Sequence, residues 1–388
     1  MRIVDIRETA IPLKSQLKNS IFDFSEMTTS VVAVITDVVR DGRPVAGFAF
    51  NSTGRYACGA QMRERFIPRI MRTDPKELVD QTGDNLDPEK ILAVMRRREK
   101  IGGDTERSIA IGTIEVAVWD AVAKIAGKPL YRVLAERHNG GRVPEKIFCY
   151  VGGGWYFPGQ TIGDLQDEMR RHFDAGYTLV KMKVGGMPLA EDCRRIEGVL
   201  KVLGPGHRLA VDANGKFERE EGLAYARALA PYKLTWFEEP CHPLDYALYA
   251  EFAAAYGQPI GAGENLYSIQ DVVNLARFGG LKAGRDYLQI DPPQSYGFCE
   301  YVRMLDTLKT MGWARTSFYP HGGNQMSLAL AAGLGLAGTE SYPGVFGVFA
   351  GFADDATIDN GMMTLSERPG IGFEGQAALY AVMKDLVG

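Results

Sequence analysis

The sequence predicts an α/β protein: a (β/α)8-type TIM barrel preceded by an N-terminal α+β capping domain. Three observations carry this reading. The first fifty residues are strand-rich with hairpin-type turns, and helical patterns follow them. After residue 140, eight short apolar runs alternate with helical stretches, the rhythm of a parallel sheet. Asp212, Glu238, Glu264 and Asp291 close successive runs at spacings of 26, 26 and 27 residues, about one strand–helix unit each.

Taken in order, RIVDIRETAIPL, TTSVVAVITDVV and PVAGFAF are β-rich, and the turn RDGR joins the last two. Helical patterns cover 61–71, 88–98 and 108–126, and Gly127-Lys128-Pro129 stops the third. These elements make up a capping domain at 1–138. The barrel is placed at 139–354. Its strands are IFCYVGGG, TLVKMKVG, RLAVDANG, LTWFEEP, PIGAGEN, YLQIDPP, TSFYPHGG and GLAGTES, with helices at 162–175, 190–202, 219–229, 246–256 and 297–311. Such alternation is either doubly wound or closed. A polar group repeated at the C-terminal end of each strand favours closure, because barrel active sites are built on that face. Residues 355–388, with PGIGFEG and a short helix, are expected to return to the capping domain.

The bulk properties exclude several classes. A length of 388 residues exceeds the usual single core, so two domains are expected. A net charge of −4 leaves no basic footprint for nucleic acid. Five scattered cysteines without a CxxC pair are expected to be reduced thiols, as in a cytoplasmic protein. The N-terminus alternates like a strand, unlike a signal peptide, and LALAAGLGLAG is too short to span a bilayer.

A single acid at a strand end is usually a helix cap or a loop charge. Asp212, Glu238 and Glu264 at one depth on adjacent strands would repel one another in a low-dielectric mouth, and a divalent cation resolves that repulsion. All-oxygen ligation suits Mg2+ rather than zinc. In VKMKVG, period-2 geometry puts Lys181 and Lys183 on one face. If that face is inward, burial, the neighbouring ammonium and a nearby cation all favour the neutral amine a proton acceptor needs. Lys183, closer to the mouth, is the better base. Thirty residues past Asp291, His321 is either a structural histidine near the turn of Pro320 or an acid/base oriented by that aspartate.

These residues resemble the enolase superfamily, and within it the mandelate racemase subgroup. The strands carrying Lys181/Lys183, Asp212, Glu238, Glu264, Asp291/His321 and Glu340 correspond in order, as do AVWDAVAKIAGKPLYRVL and PGIGFEG. Within the subgroup, FDFSEMTTSVVAVITDVV, FNSTGRY, GDNLDPEK and GENL are most similar to tartrate dehydratases. DPPQSYG, PHGGNQMSL and Cys241-His242-Pro243 depart from that pattern.

The resemblance implies an enolase-like modified barrel with one Mg2+ per subunit on Asp212, Glu238 and Glu264. It implies a lyase that dehydrates a hydroxy diacid or acid sugar, with racemisation or epimerisation of an α-hydroxy acid as the alternative. Lys183 is expected as base and His321 as acid, or the reverse. Lys181 would stabilise the enediolate, and Glu340, if protonated, would donate to the same oxygens. Asn51, Arg55, Lys100 and Asn214 are candidate substrate contacts; Arg55 is otherwise a solvated loop arginine, and Asn214 and Asn265 otherwise turn residues. Residues 19–27 read as a lid or as a static interface loop. The expected partners are a small carboxylic acid and further copies of the chain, from dimer to octamer, with neither nucleic acid nor membrane.

Overall fold

The computed structural model describes residues 1–388. Strands β1 (Ile3–Pro12), β2 (Thr28–Arg40) and β3 (Arg43–Phe50) form an antiparallel meander in the order β1-β2-β3. Asp41 and Gly42 turn the chain between β2 and β3 with φ of 49° and 75°, the left-handed pair that suits a tight hairpin turn. A helical run follows through α1 (Gly59–Gln61), a π turn at Met62–Phe66 and α2 (Ile67–Met71). Asp87 caps α3 (Pro88–Arg96) by accepting from the backbone of Glu89 and Lys90.

Helix α4 (Thr105–Ala126) is buried without interruption from Ser108 to Ala123 and ends at Gly127 in the left-handed conformation. It is wedged between the meander and the barrel. A Cβ on Gly47 of β3 would lie 2.1 Å from the Ala117 carbonyl oxygen, and one on Gly112 would lie 2.2 Å from that of Pro293. Bare glycine at both places lets backbone meet backbone.

Helix α5 (Leu130–His138) has no counterpart among the helices expected from periodicity. The barrel staves are β4 (Lys146–Gly153), β5 (Leu179–Lys183), β6 (Arg208–Asp212), β7 (Phe237–Glu238), β8 (Ile260–Ala262) and β9 (Tyr287–Leu288), all parallel in that order. An extended segment at 318–320 is the seventh: Tyr319 N donates to Leu288 O, and Ala337 N to Phe318 O. β10 (Thr339–Ser341) then pairs with β4 in parallel and closes the ring.

Helices α6 (Ile162–Asp174), α7 (Leu189–Leu200), α8 (Arg219–Leu229), α9 (Tyr246–Tyr256), α10 (Ile269–Phe278), α11 (Phe298–Lys309) and α12 (Gln325–Leu334) follow the first seven staves. The pattern of α10 and α12 was not among the expected helices. α12 is apolar on nearly every side, so it shows no amphipathic stripe. No helix follows the eighth stave at once. α5 packs on α12 instead, where a Cβ on Gly333 would lie 2.8 Å from the Tyr131 carbonyl oxygen.

The chain then forms a hairpin, β11 (Ile358–Asp359) and β12 (Met362–Thr364), whose second strand pairs antiparallel with the start of β4. α13 (Ala377–Lys384) lies on the meander, with Tyr380 edge-on to Phe48 at 6.1 Å. Buried Asp120 of α4 accepts from the backbone N–H groups of Phe48 and Ile371, which pins the C-terminal segment to the first sheet. All five cysteines are free. No helix is long and apolar enough to cross a membrane.

Candidate active site

Strand register brings the acids to one rim. Lys183 is the register partner of Asp212, and Asp212 of Glu238; Glu264 stands two residues beyond β8. One carboxylate oxygen from each of Asp212, Glu238 and Glu264 lies within 4.8 Å of the others, and all three side chains are buried. The geometry and the all-oxygen donor set fit a hard divalent cation.

Electrostatics give the same fit. Six buried carboxyl groups, Asp212, Glu238, Glu239, Glu264, Asp291 and Glu340, face only three cationic groups, Lys181, Lys183 and His321. Burial, together with the charges of Asp212, Glu340 and Glu264, pushes the Glu238 carboxyl up to about 8 despite the Lys181 ammonium. A divalent cation on the triad would relieve that crowding. Trp236 Nε1 and Gln289 Nε2 donate to Glu238 Oε2 at 2.9 and 2.6 Å and fix its orientation.

The two lysines do share the inward face. Lys181 Nζ reaches Glu238 at 2.5 Å, Glu340 at 2.7 Å and Asp212 at 3.1 Å, and Lys183 Nζ reaches Asp212 at 2.6 Å. The expectation of two ammoniums opposing each other needs correction, because the Asp212 carboxylate lies between them, ion-paired with both. Burial would strip the Lys181 charge, but Asp212, Glu238 and Glu340 outweigh it and hold the amine well above its ordinary value. Burial would likewise lift Asp212, yet the two ammoniums hold its carboxyl below the usual range. Lys183 also lies under the Trp155 ring, 4.7 Å from its centroid.

His321 stands on the other flank. Its Nδ1 is 2.8 Å from Asp291 Oδ2, and its Nε2 is 3.4 Å from Glu264 and 3.8 Å from Glu340. Burial opposes its charge, but Glu264, Asp291 and Glu340 together lift the imidazole to about 10. Glu340 departs from the protonated form considered above. Burial favours the acid, but Lys181 and His321 hold the carboxyl below its ordinary value, so it is an anion at neutral pH.

The triad opens into a small cavity of about 30 Å3 lined by Lys183, Asn214, Glu264, Asn265 and His321 from the barrel. Thr53, Gly54 and Arg55 come from the capping domain, and Trp155, Tyr342, Phe346, Phe22 and Phe24 wall it with aromatic faces. Arg55 is at the cavity as expected, donating to Asn265 and lying 5.2 Å from the Tyr267 ring centroid. Asn214, with φ of 51°, sends its amide toward Asp212 and Glu264 at 3.4 Å each. Residues 19–24 cover the mouth: Asn19 donates to Asn214, and Ser20 to the Ala213 carbonyl.

Two expected substrate contacts lie elsewhere. Asn51 is fully buried with its amide committed, accepting from Ser30 N and donating to the carbonyls of Arg55 and Tyr56. It clips the hairpin-end loop. Lys100 is exposed outside the cavity, and its carbonyl accepts from Arg107 in the first turn of α4. Gln294, Trp155 and Thr53 line the cavity without having been singled out, since isolated residues of these types carry no spacing signal.

Known proteins resemble this chain in sequence and fold. Residues 164–378 match the family model described as enolase C-terminal domain-like. The arabinonate dehydratase of Saccharolobus solfataricus is 27% identical over 82% of this chain and 82% of its own length. The 3,6-anhydro-alpha-L-galactonate cycloisomerase of Streptomyces coelicolor is 30% identical over 68% of each chain. The crystal structure of L-talarate dehydratase from Polaromonas sp. JS666, complexed with Mg and L-glucarate, superposes with a TM-score of 0.73 at 25% identity, covering 95% of this chain and 92% of that one. With residues 164–378, more than half its length, matched by that family model, the chain belongs to the enolase superfamily, in the mandelate racemase subgroup.

Proposed function

We propose that the chain dehydrates a hydroxy diacid or acid sugar of tartrate type to a keto acid, with Mg2+ held by Asp212, Glu238 and Glu264. The chain is an enzyme, a carbon–oxygen lyase of the hydro-lyase class. The observation that carries the finer reading is the placement of two proton carriers at opposite ends of the triad, Lys183 against Asp212 and His321 against Glu264.

Bound Mg2+ would polarise the substrate carboxylate and offset the second negative charge that develops on it. Lys183 takes the proton from the adjacent carbon, leaving an enediolate. Lys181, held as an ammonium, donates to the oxygen that gains charge. Glu340 keeps Lys181 and His321 charged and in place. From the other flank His321 hands its proton to the departing β-hydroxyl, which leaves as water, and the resulting enol becomes the keto acid. Arg55, in the cavity lining beside Asn265, offers a planar fork for a second carboxylate. The aromatic walls and residues 19–24 exclude water while charge builds.

A stereochemically complete set of four- to six-carbon hydroxy acids and diacids, incubated with protein and Mg2+ and trapped with semicarbazide, tests this. Semicarbazone formation from at least one member is expected. Exchange of the α-hydrogen in D2O with no keto acid formed would assign racemisation or epimerisation instead, and silence across the whole set would remove the dehydratase reading.

A further inference from the structure

Ser52 is the least expected residue near the proton carriers. It belongs to the capping domain, two residues beyond β3, yet it is fully buried against the barrel. Its φ of 61° is in the left-handed region, which a serine pays strain to occupy. Its hydroxyl is 2.6 Å from Asp291 Oδ2, the same oxygen that contacts His321 Nδ1 at 2.8 Å. Asn324, the N-cap of α12, points its amide at Ser52 Oγ from 3.4 Å. That amide can only donate, so the hydroxyl proton is left for Asp291. The other Asp291 oxygen accepts from Gln294 N at 3.2 Å.

The space around this contact is also closed. A Cβ on Gly322 would lie 2.6 Å from Ser52 Oγ and 3.1 Å from Asp291 Oδ2. Asn51, next in the chain, clips the loop to β2 by accepting from Ser30 N at 2.7 Å. The loop is thereby held in the strained conformation that presents the hydroxyl.

We propose that Ser52 is a positioning residue for His321: its hydroxyl fixes the Asp291 carboxylate, which orients the imidazole with Nδ1 on the aspartate and Nε2 toward the triad. The cap thus supplies the third member of a Ser52–Asp291–His321 relay, and the histidine side of the reaction is assembled only when cap and barrel are docked. Lys183 has no such link to Ser52, so the two proton carriers depend on the cap differently. This inference rests on the proposed role of His321.

Two variants separate the hydroxyl from the backbone. Ser52→Ala removes the donor and keeps the strain. Ser52→Gly removes the donor and relieves the strain, because glycine accepts this φ freely. In the Mg2+-loaded protein, the downfield proton of His321 Nδ1, assigned by its disappearance in His321→Asn, is expected to move or broaden in both variants. On whichever acid the screen identifies, kcat is expected to fall about tenfold to a hundredfold with KM within twofold, the size of effect a small misplacement produces. A purely structural serine predicts a native-like Ser52→Gly protein. An unmoved resonance in Ser52→Gly, or a kcat within twofold of wild type, overturns the proposal. The resonance needs no turnover, so it reports on Ser52 even if the screen finds no dehydration.

Discussion

The Asn19 side-chain amide donates to Asn214 Oδ1 at 3.0 Å, and the Asn214 amide faces Asp212 and Glu264 at 3.4 Å each. The loop over the cavity is therefore linked to two candidate metal ligands through one asparagine. Asn19→Ala should free the loop without disturbing the triad. A lost hydrogen bond of this kind is worth about 1 kcal/mol, so KM should rise about fivefold and proteolysis at residues 15–27 should quicken. Steady-state kinetics and limited trypsin digestion check this; an unchanged KM would mean the loop is a fixed wall.

Metal removal should stop turnover and leave the fold. Lys181 and Lys183 already compensate part of the triad's charge from within. After chelation, far-UV circular dichroism should be unchanged while dehydration falls to background. Restoring Mg2+ at about 100 times its Kd should add about 2.7 kcal/mol of stability, seen as a rise in Tm. In Glu264→Gln that rise should be absent. A rise of equal size in the variant would show that the ion sits elsewhere.

His321 gives the molecule a pH signature. Its folded-state value of about 10 lies above its ordinary value of 6.5, because Glu264, Asp291 and Glu340 outweigh the burial. The protonated imidazole is therefore favoured by folding. Its stabilisation is complete below about pH 6.5 and is lost as pH rises through about 10. In chelator, the Tm gap between wild type and His321→Asn should narrow across that interval. With Mg2+ the Glu264 charge is shared with the ion, so the narrowing should begin at lower pH. A gap independent of pH from 6 to 10 would contradict the assignment.

Much of this site was legible because barrel geometry converts spacing into position. Acids 26 or 27 residues apart become rim neighbours, and two lysines separated by one residue share a face. What could not be read were groups whose meaning depends on contacts between distant segments. Asn51 sits in a hairpin-end motif that suggests a ligand contact, yet its amide is committed to Ser30 of β2 and to the carbonyls of its own loop. Glu340 could be ranked as acid or anion only once Lys181 and His321 were beside it. Ser52 carries no motif at all. α12 escaped because a helix that is apolar on nearly every side loses the stripe that periodicity detects.

The seam between cap and barrel offers a stability test with two opposing terms. Alanine in place of Gly112 would ordinarily gain about 0.8–1 kcal/mol in a helix interior. Here its Cβ would lie 2.2 Å from Pro293 O and 2.8 Å from Gly297 N, both backbone atoms that cannot swing away. Overpacking of that kind costs about 1–3 kcal/mol, so Gly112→Ala should be net destabilising by up to about 2 kcal/mol in urea melts. Pro293 follows Asp291 closely, so the same shift should lower kcat more than KM. A variant as stable as wild type would show that the seam yields.

The last prediction decides which proton carrier starts the reaction. If Lys183 removes the α-proton, Lys183→Ala loses both elimination and α-hydrogen exchange, by the 100- to 10,000-fold typical of a missing general base. His321→Asn would still form the enediolate, because Lys183 remains beside Asp212. It should therefore exchange the α-hydrogen with D2O at a measurable rate while forming keto acid slowly. The reverse pattern, exchange kept in Lys183→Ala and lost in His321→Asn, would place the base on the histidine side. Loss of exchange in both variants would mean that neither residue acts alone, and the division of labour between the flanks would have to be abandoned. Proton NMR of the substrate α-position over time measures all three cases in one experiment, since exchange and elimination remove the same signal but only elimination creates a new methylene.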